Sequence, residues 1–248
     1  MAAATSPMRR RRSKVMVQLF FDRNNSALSG PEDVKWLLAE PEKQWVPRYS
    51  AYETAYSWFD ANGLPDTIHE ILRTDPVFID AELERAYFEW QTQLDDSGRG
   101  PSQTDVLALL KIKSGSAVIG VEGKVNEPFG QIVSDWNDYS PGKLRRLAGL
   151  IDQLNLKPSM LVGSLRYQLF HRTVATLLEA KKIGAAEAAV VVQSFSPDRR
   201  GFDDFQDFAA ALGVPIAEPQ RFSKPIQLGS VRLRLGWTVN SVRSVERP

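Results

Sequence analysis

Residues 116–125 (SAVIGVEGKV) constrain this chain more than any other segment. Ala117, Val118, Ile119 and Val121 run almost without interruption, too short a stretch for a buried helix and without the alternation of a half-exposed strand. Successive side chains of a strand point to opposite faces, so a strand apolar at consecutive positions needs cover on both. The sheet that holds it therefore lies between two layers, and helices are the natural cover. Residues 104–113 read as the preceding strand, with Ser114-Gly115 at the centre of a two-residue hairpin loop. Residues 87–94 (YFEWQTQL), rich in aromatics and Thr, read as a strand before that, and 95–101 (DDSGRGP) as the turn between. A three-stranded meander follows.

Helical periodicity flanks the meander. Ser29-Gly30-Pro31 opens a short helix, with Glu32 and Asp33 in its first turn. Tyr49, Tyr52 and Tyr56 share one helical face and are expected in the core, and Asn62-Gly63 ends their helix. Residues 67–73 give further helical turns. Leu144, Leu147, Ala148, Ile151 and Leu154 mark an amphipathic helix begun by Ser140-Pro141, and 161–182 a longer, largely buried one. Residues 188–195 read as a buried strand, Phe202 to Ala209 as a short helix, and 227–239 as one or two late strands. The expected fold is α/β, one domain over 16–248, after a disordered basic leader over 1–15.

Composition narrows the chemistry. Among 248 residues there is no Cys and there are two His, so thiolate zinc sites, iron–sulfur clusters, Cys nucleophiles and multi-histidine metal sites are excluded. No run of about 18 apolar residues spans a membrane, so no membrane partner is expected and a cytoplasmic protein is. The first 14 residues carry five cations and no acid, and residues 221–248 a net five positive charges. Against a total of +1, residues 15–220 then carry −9, which does not suit a protein that simply coats nucleic acid.

The chemistry concentrates on the hairpin. Glu122 and Lys124, two apart on a strand, point to one face. A Ser114-Gly115 loop pairs Lys113 with Ser116 and sets Asp105 opposite Lys124, so Asp105, Glu122 and Lys124 share that face; a one-residue slip would turn Asp105 away. Two carboxylates and an ammonium on an apolar sheet are costly to bury unpaired. Either they form a self-satisfying ion cluster, or Asp105 and Glu122 hold a hard cation such as magnesium or manganese while Lys124 orients or activates a water.

This pattern, Asp105 after Pro101-Ser-Gln-Thr and then Val121-Glu-Gly-Lys-Val125, resembles the PD-(D/E)XK nuclease-like (restriction-endonuclease-like) superfamily. The resemblance covers about 67–195 and implies a core of helix, three-stranded meander, helix and strand in a mixed sheet, with an added helical N-terminal part. Residues 67–85 would be its first helix, broken or kinked at Pro76. It implies a magnesium-dependent nuclease acting on nucleic acid, DNA ahead of RNA, and leaves the oligomeric state open, a homodimer included. Superfamily members often add a Glu from the first helix as a metal ligand; Glu84 is the expected one, with Glu82 and Glu89 nearby, and the other reading of each is an exposed helix acid. The blocks VEGKVNEPFG (121–130), RYQLFHRT (166–173) and VVQSFS (191–196) are also similar to a family of uncharacterised bacterial proteins.

Other residues carry two readings each. Gln168 and Arg172 stack at i, i+4 on an otherwise buried helix face, where they reach the site, Arg172 as a phosphate ligand, or satisfy local groups. Arg166 is expected to contact a nucleic-acid backbone. Ser102 and Gln103 either touch substrate or form the turn. Asn126 and Glu127 either shape the site or end the strand, and His171 reads as a structural histidine. The alternative function is a non-catalytic binding or interaction protein in which Asp105, Glu122 and Lys124 are a structural ion cluster.

Overall fold

A seven-stranded mixed sheet organises the molecule. The computed structural model describes residues 18–157 and 160–243, so the basic leader lies outside the described residues. In chain order the elements are β1 (Phe20–Phe21), α1 (Glu32–Lys35), α2 (Pro41–Gln44), α3 (Ser50–Ala61), α4 (Asp66–Leu72), β2 (Glu82–Thr92), β3 (Ser102–Ile112), β4 (Gly115–Lys124), α5 (Val133–Trp136), α6 (Pro141–Gln153), α7 (Tyr167–Lys182), β5 (Glu187–Ser194), α8 (Phe202–Ala211), β6 (Ile226–Leu228) and β7 (Val231–Val239). The sheet order is β1-β2-β3-β4-β5-β7-β6. The meander β2–β3–β4 is antiparallel, and β5 and β7 continue it in parallel with β4.

The unbroken apolar run does what it requires. Every residue of β4 from Ala117 to Lys124 is buried, as is all of β5. On one face Trp58, Ile68, Leu72, Phe88, Val106, Ala108, Ile119 and Val121 pack beneath α3 and α4. On the other, Leu107, Val118, Val174, Leu177, Phe205 and Trp237 pack beneath α7 and α8.

Several expectations are corrected. The hairpin turns at Lys113-Ser114, with Ile112 paired to Gly115, because Gly115 supplies the positive φ (127°) that closes the loop. The ladder is thus two residues out from the expected pairing. Side-chain direction has a period of two, so the faces are unchanged. The 67–85 helix is absent: α4 ends at Leu72, two turns precede Ala81, and Glu82 already belongs to β2. Pro76 forbids a continuing helix there. The long helix starts at Tyr167 rather than 161, because Arg166 is extended and pairs with Ile132 in an isolated bridge. Tyr49 is 52% exposed, and Tyr52 and Tyr56 pack on Trp45 at the surface; the core residue of α3 is Trp58.

Candidate functional site

The C-terminal end of β4, the start of β3 and Glu89 of β2 meet the first turns of α7. There a cavity of about 330 Å³ is lined by Glu89, Gln103, Asp105, Glu122, Lys124, Gln168 and Arg172, with Leu38 to Ala51 segments of the N-terminal part at its mouth. Alternation puts Glu122 and Lys124 on the α7 face of β4, opposite to Val121. Asp105 shares the face of Leu107.

Glu122 is the hub. Its Oε1 accepts from Lys124 Nζ (2.9 Å) and Gln168 Nε2 (2.7 Å), and its Oε2 from Arg172 Nε (2.5 Å). The i, i+4 spacing of Gln168 and Arg172 brings both to the same carboxylate. Asp105 Oδ2 accepts the Gly123 N–H (2.8 Å), and Asp105 Oδ1 lies 3.8 Å from the Arg172 guanidinium, which therefore bridges two acids. Arg172 also donates to Ser102 Oγ (3.2 Å), which meets His171 Nδ1 at 2.8 Å. Gln103 donates to Glu89.

Glu84, the expected third acid, is exposed at the bulge between Leu83 and Arg85 and does not reach the cavity. Glu89 takes that place. Tyr87 and Trp90, three apart, pack on the same hydrophobic cluster although the pairing with β3 runs unshifted from Phe88–Val106 to Trp90–Thr104, so the alternation of side chains breaks at Glu89. Glu89 adopts a left-handed φ of 54°, which turns its carboxylate into the cavity. A non-glycine residue in that conformation inside a strand stores backbone strain, and such strain gathers at functional sites. The legible signal is an acid set among the three aromatics Tyr87, Phe88 and Trp90.

Gly123, the middle residue of Glu-Gly-Lys, is dictated by packing. A Cβ there would stand 2.1 Å from Thr54 Oγ1 and 3.3 Å from Thr54 Cβ on α3. Arg166 does not face the cavity: it pairs with Asp204 (2.9 Å) and donates to the Gly130 carbonyl (2.9 Å), holding a loop. Glu127 ends the strand, accepting the N–H groups of Ser50, Val125 and Asn126. Asn126 itself is exposed.

Three carboxylates thus face two cations. Burial and the charge of Asp105 push Glu89 up to about 8. Burial and the charge of Glu122 push Asp105 up to about 7. Glu122 resists the same burial because Arg172 and Lys124 hold it down at about 2. Burial and Arg172 keep His171 neutral. All three acids offer oxygen donors of the kind magnesium takes, and a hard cation bound there would displace the protons that burial favours on Asp105 and Glu89. Among the described residues no three His, Cys, Asp or Glu side chains stand gathered around one point as a ready ligand set, for the Arg172 guanidinium stands against two of the acids.

The model of a family described as a domain of unknown function (DUF6946) matches residues 27–242. The chain belongs to that family. The match includes both hydrophobic clusters but for Phe20, and every residue of the cavity. No curated protein and no solved structure matches the chain. Among the described residues no helix is long and apolar enough to cross a membrane.

Proposed function

We propose that the chain is a magnesium-dependent phosphodiesterase acting on nucleic acid, built on a restriction-endonuclease-like core. The observation that carries this reading is the surplus of one buried carboxylate over the cations around the cavity, with Asp105 and Glu89 both held toward their protonated forms. The element order also supports it: α4, the meander β2–β4, the helices α6 and α7, then β5 beside β4.

In this reading Asp105 and Glu122, with Glu89, hold the ion. Bound there, magnesium or manganese supplies a Lewis acid for phosphate oxygens and lowers the pKa of a coordinated water. Lys124, its ammonium fixed 2.9 Å from Glu122, orients the attacking water and faces the charge that develops on the phosphate. Gln168 fixes the rotamer of Glu122. Arg172, with a planar fork suited to phosphate, leaves the acids for the substrate. Gln103, on the wall, holds Glu89.

One observation favours a second reading. Both oxygens of Glu122 are already satisfied by side chains of the chain itself, as in a structural ion cluster. A non-catalytic binding module on the same fold would carry such a cluster. Digestion separates the two. With magnesium or manganese the native chain is expected to cut DNA or RNA, and Asp105→Asn and Lys124→Met to cut neither. A native chain that binds the metal and cuts nothing is the binding module.

A further inference from the structure

Beside the carboxylate cavity two further hollows, of about 360 and 420 Å³, share Arg172 with it. Trp136 and Tyr167 line both. Their rings stack face to face, centroids 3.7 Å apart and planes at 11°. The pair is held from the backbone: Ile132 bridges Arg166, Val133 N–H donates to Leu165 O (2.8 Å), and Tyr167 N–H to Gln131 O (3.0 Å). Tyr167 is thereby fixed as the floor beneath the indole.

Over Trp136 stand two cations. The Arg99 guanidinium lies 5.5 Å and the Lys143 ammonium 5.3 Å from the ring centroid. The gap to Tyr167 has no room for either, so both occupy the opposite face. Lys143 is tied there by Asp138 (3.0 Å) and by the Trp136 carbonyl (2.5 Å). Arg99 makes no ion pair among the described residues, and its side chain hangs from the 95–101 turn, whose carbonyls Arg146 holds. Asp138 already meets Lys143, so Arg99 is the cation over this half-buried indole that no acid meets among the described residues, and an anion beside it would neutralise its charge. Arg99 stands farther from the ring than a stacked guanidinium, so it can ride outward over a planar guest.

We infer that this platform is a nucleobase subsite. An unpaired base stacks on Trp136 beneath Arg99, and its phosphate lies between Arg99 and Lys143, one step along the groove from Asp105 and Glu122. Aromatic and guanidinium planes are how proteins hold splayed bases. A base within a duplex presents no free face to such a platform. The substrate class is therefore nucleic acid with a single-stranded segment or a frayed end. The inference rests on the phosphodiesterase reading of the neighbouring acids and deepens it.

The test is binding of a short labelled oligothymidylate, alone and annealed to its complement, in calcium buffer, read by fluorescence anisotropy and by quenching of tryptophan emission. The native chain is expected to bind the single strand more tightly than the duplex. Trp136→Ala should weaken single-strand binding roughly tenfold or more, and Trp136→Phe should keep most of it. Arg99→Ala, a change on a surface turn that leaves the ring stack in place, should weaken it as well and flatten the salt dependence by about one charge. Native affinity in both Trp136→Ala and Arg99→Ala, or a native preference for duplex, overturns the subsite. The two proposals fail separately. If Trp136→Ala binds and cuts single strands as the native chain does, the subsite falls and the phosphodiesterase stands. If the native chain binds single strands through Trp136 and cuts nothing with magnesium, the subsite stands and the phosphodiesterase falls.

Discussion

Glu89→Gln is expected to stabilise the protein at alkaline pH and to leave it almost unchanged in acid. The side chain is buried, its carboxylate accepts from Gln103, and its pKa stands at about 8 against an ordinary 4.5. A carboxyl whose folded pKa is raised keeps its proton after the unfolded chain has released it. Stability is therefore lost as pH climbs from the unfolded value toward the folded one. At about 1.4 kcal/mol per pH unit of displacement, the loss is on the order of 4 kcal/mol near pH 8, of which about 1 is already felt near pH 5. Roughly 3 kcal/mol of pH-dependent stability therefore belongs to this group. Gln keeps the shape and the acceptor oxygen, tolerates the same left-handed backbone, and does not titrate. Urea unfolding at about pH 5 and pH 8 measures the difference. Glu89→Gln should exceed the native chain by only about 1 kcal/mol at the lower pH and by about 4 kcal/mol at the higher. Parallel stability profiles for the two proteins would show that Glu89 titrates normally, and the surplus of buried negative charge would be gone.

Gly123→Ala forces a methyl group onto Thr54 and should cost about 1–3 kcal/mol by overpacking. Thr54→Ala, which removes a hydroxyl with no hydrogen-bond partner, should be mild alone and should rescue Gly123→Ala; strictly additive urea midpoints would refute the contact. Glu187→Gln removes a charge that Arg234 meets at 2.6 Å with both side chains almost wholly buried. It should cost about 3–5 kcal/mol of stability at neutral pH and leave any cutting by the folded protein unchanged. Lost cutting in the folded variant would extend the site to β5 and β7.

The hairpin was legible because its evidence is local. An apolar run flanked by turn residues fixes a strand covered on both faces, and the period of two kept Asp105, Glu122 and Lys124 on one face although the turn sits one residue earlier than Ser114-Gly115 suggests. Gln168 and Arg172 were legible for the same reason, as polar residues at i, i+4 on an apolar helix face. What stayed hidden depends on distant partners or on backbone angles. Arg166 looks free in sequence, and Asp204, 38 residues on, occupies it. Glu84 is expected on a helix through 67–85 only by resemblance, and pairing with β3 makes its segment a strand after the helix stops before Pro76. Glu89 enters the site through a positive φ that no composition signals in a non-glycine residue. The stacking of Trp136 on Tyr167 arises from a bridge between Ile132 and Arg166 that neither segment announces.

The proposed chemistry requires that the three acids of the cavity take up a divalent ion, and calorimetric titration of magnesium or manganese into the native chain near pH 7 measures that uptake. Binding is expected, with net release of protons from Asp105 and Glu89 seen as a dependence of the heat on buffer ionisation enthalpy, and its loss in Asp105→Asn. Absence of binding by the native chain, or binding that Asp105→Asn retains, would contradict it.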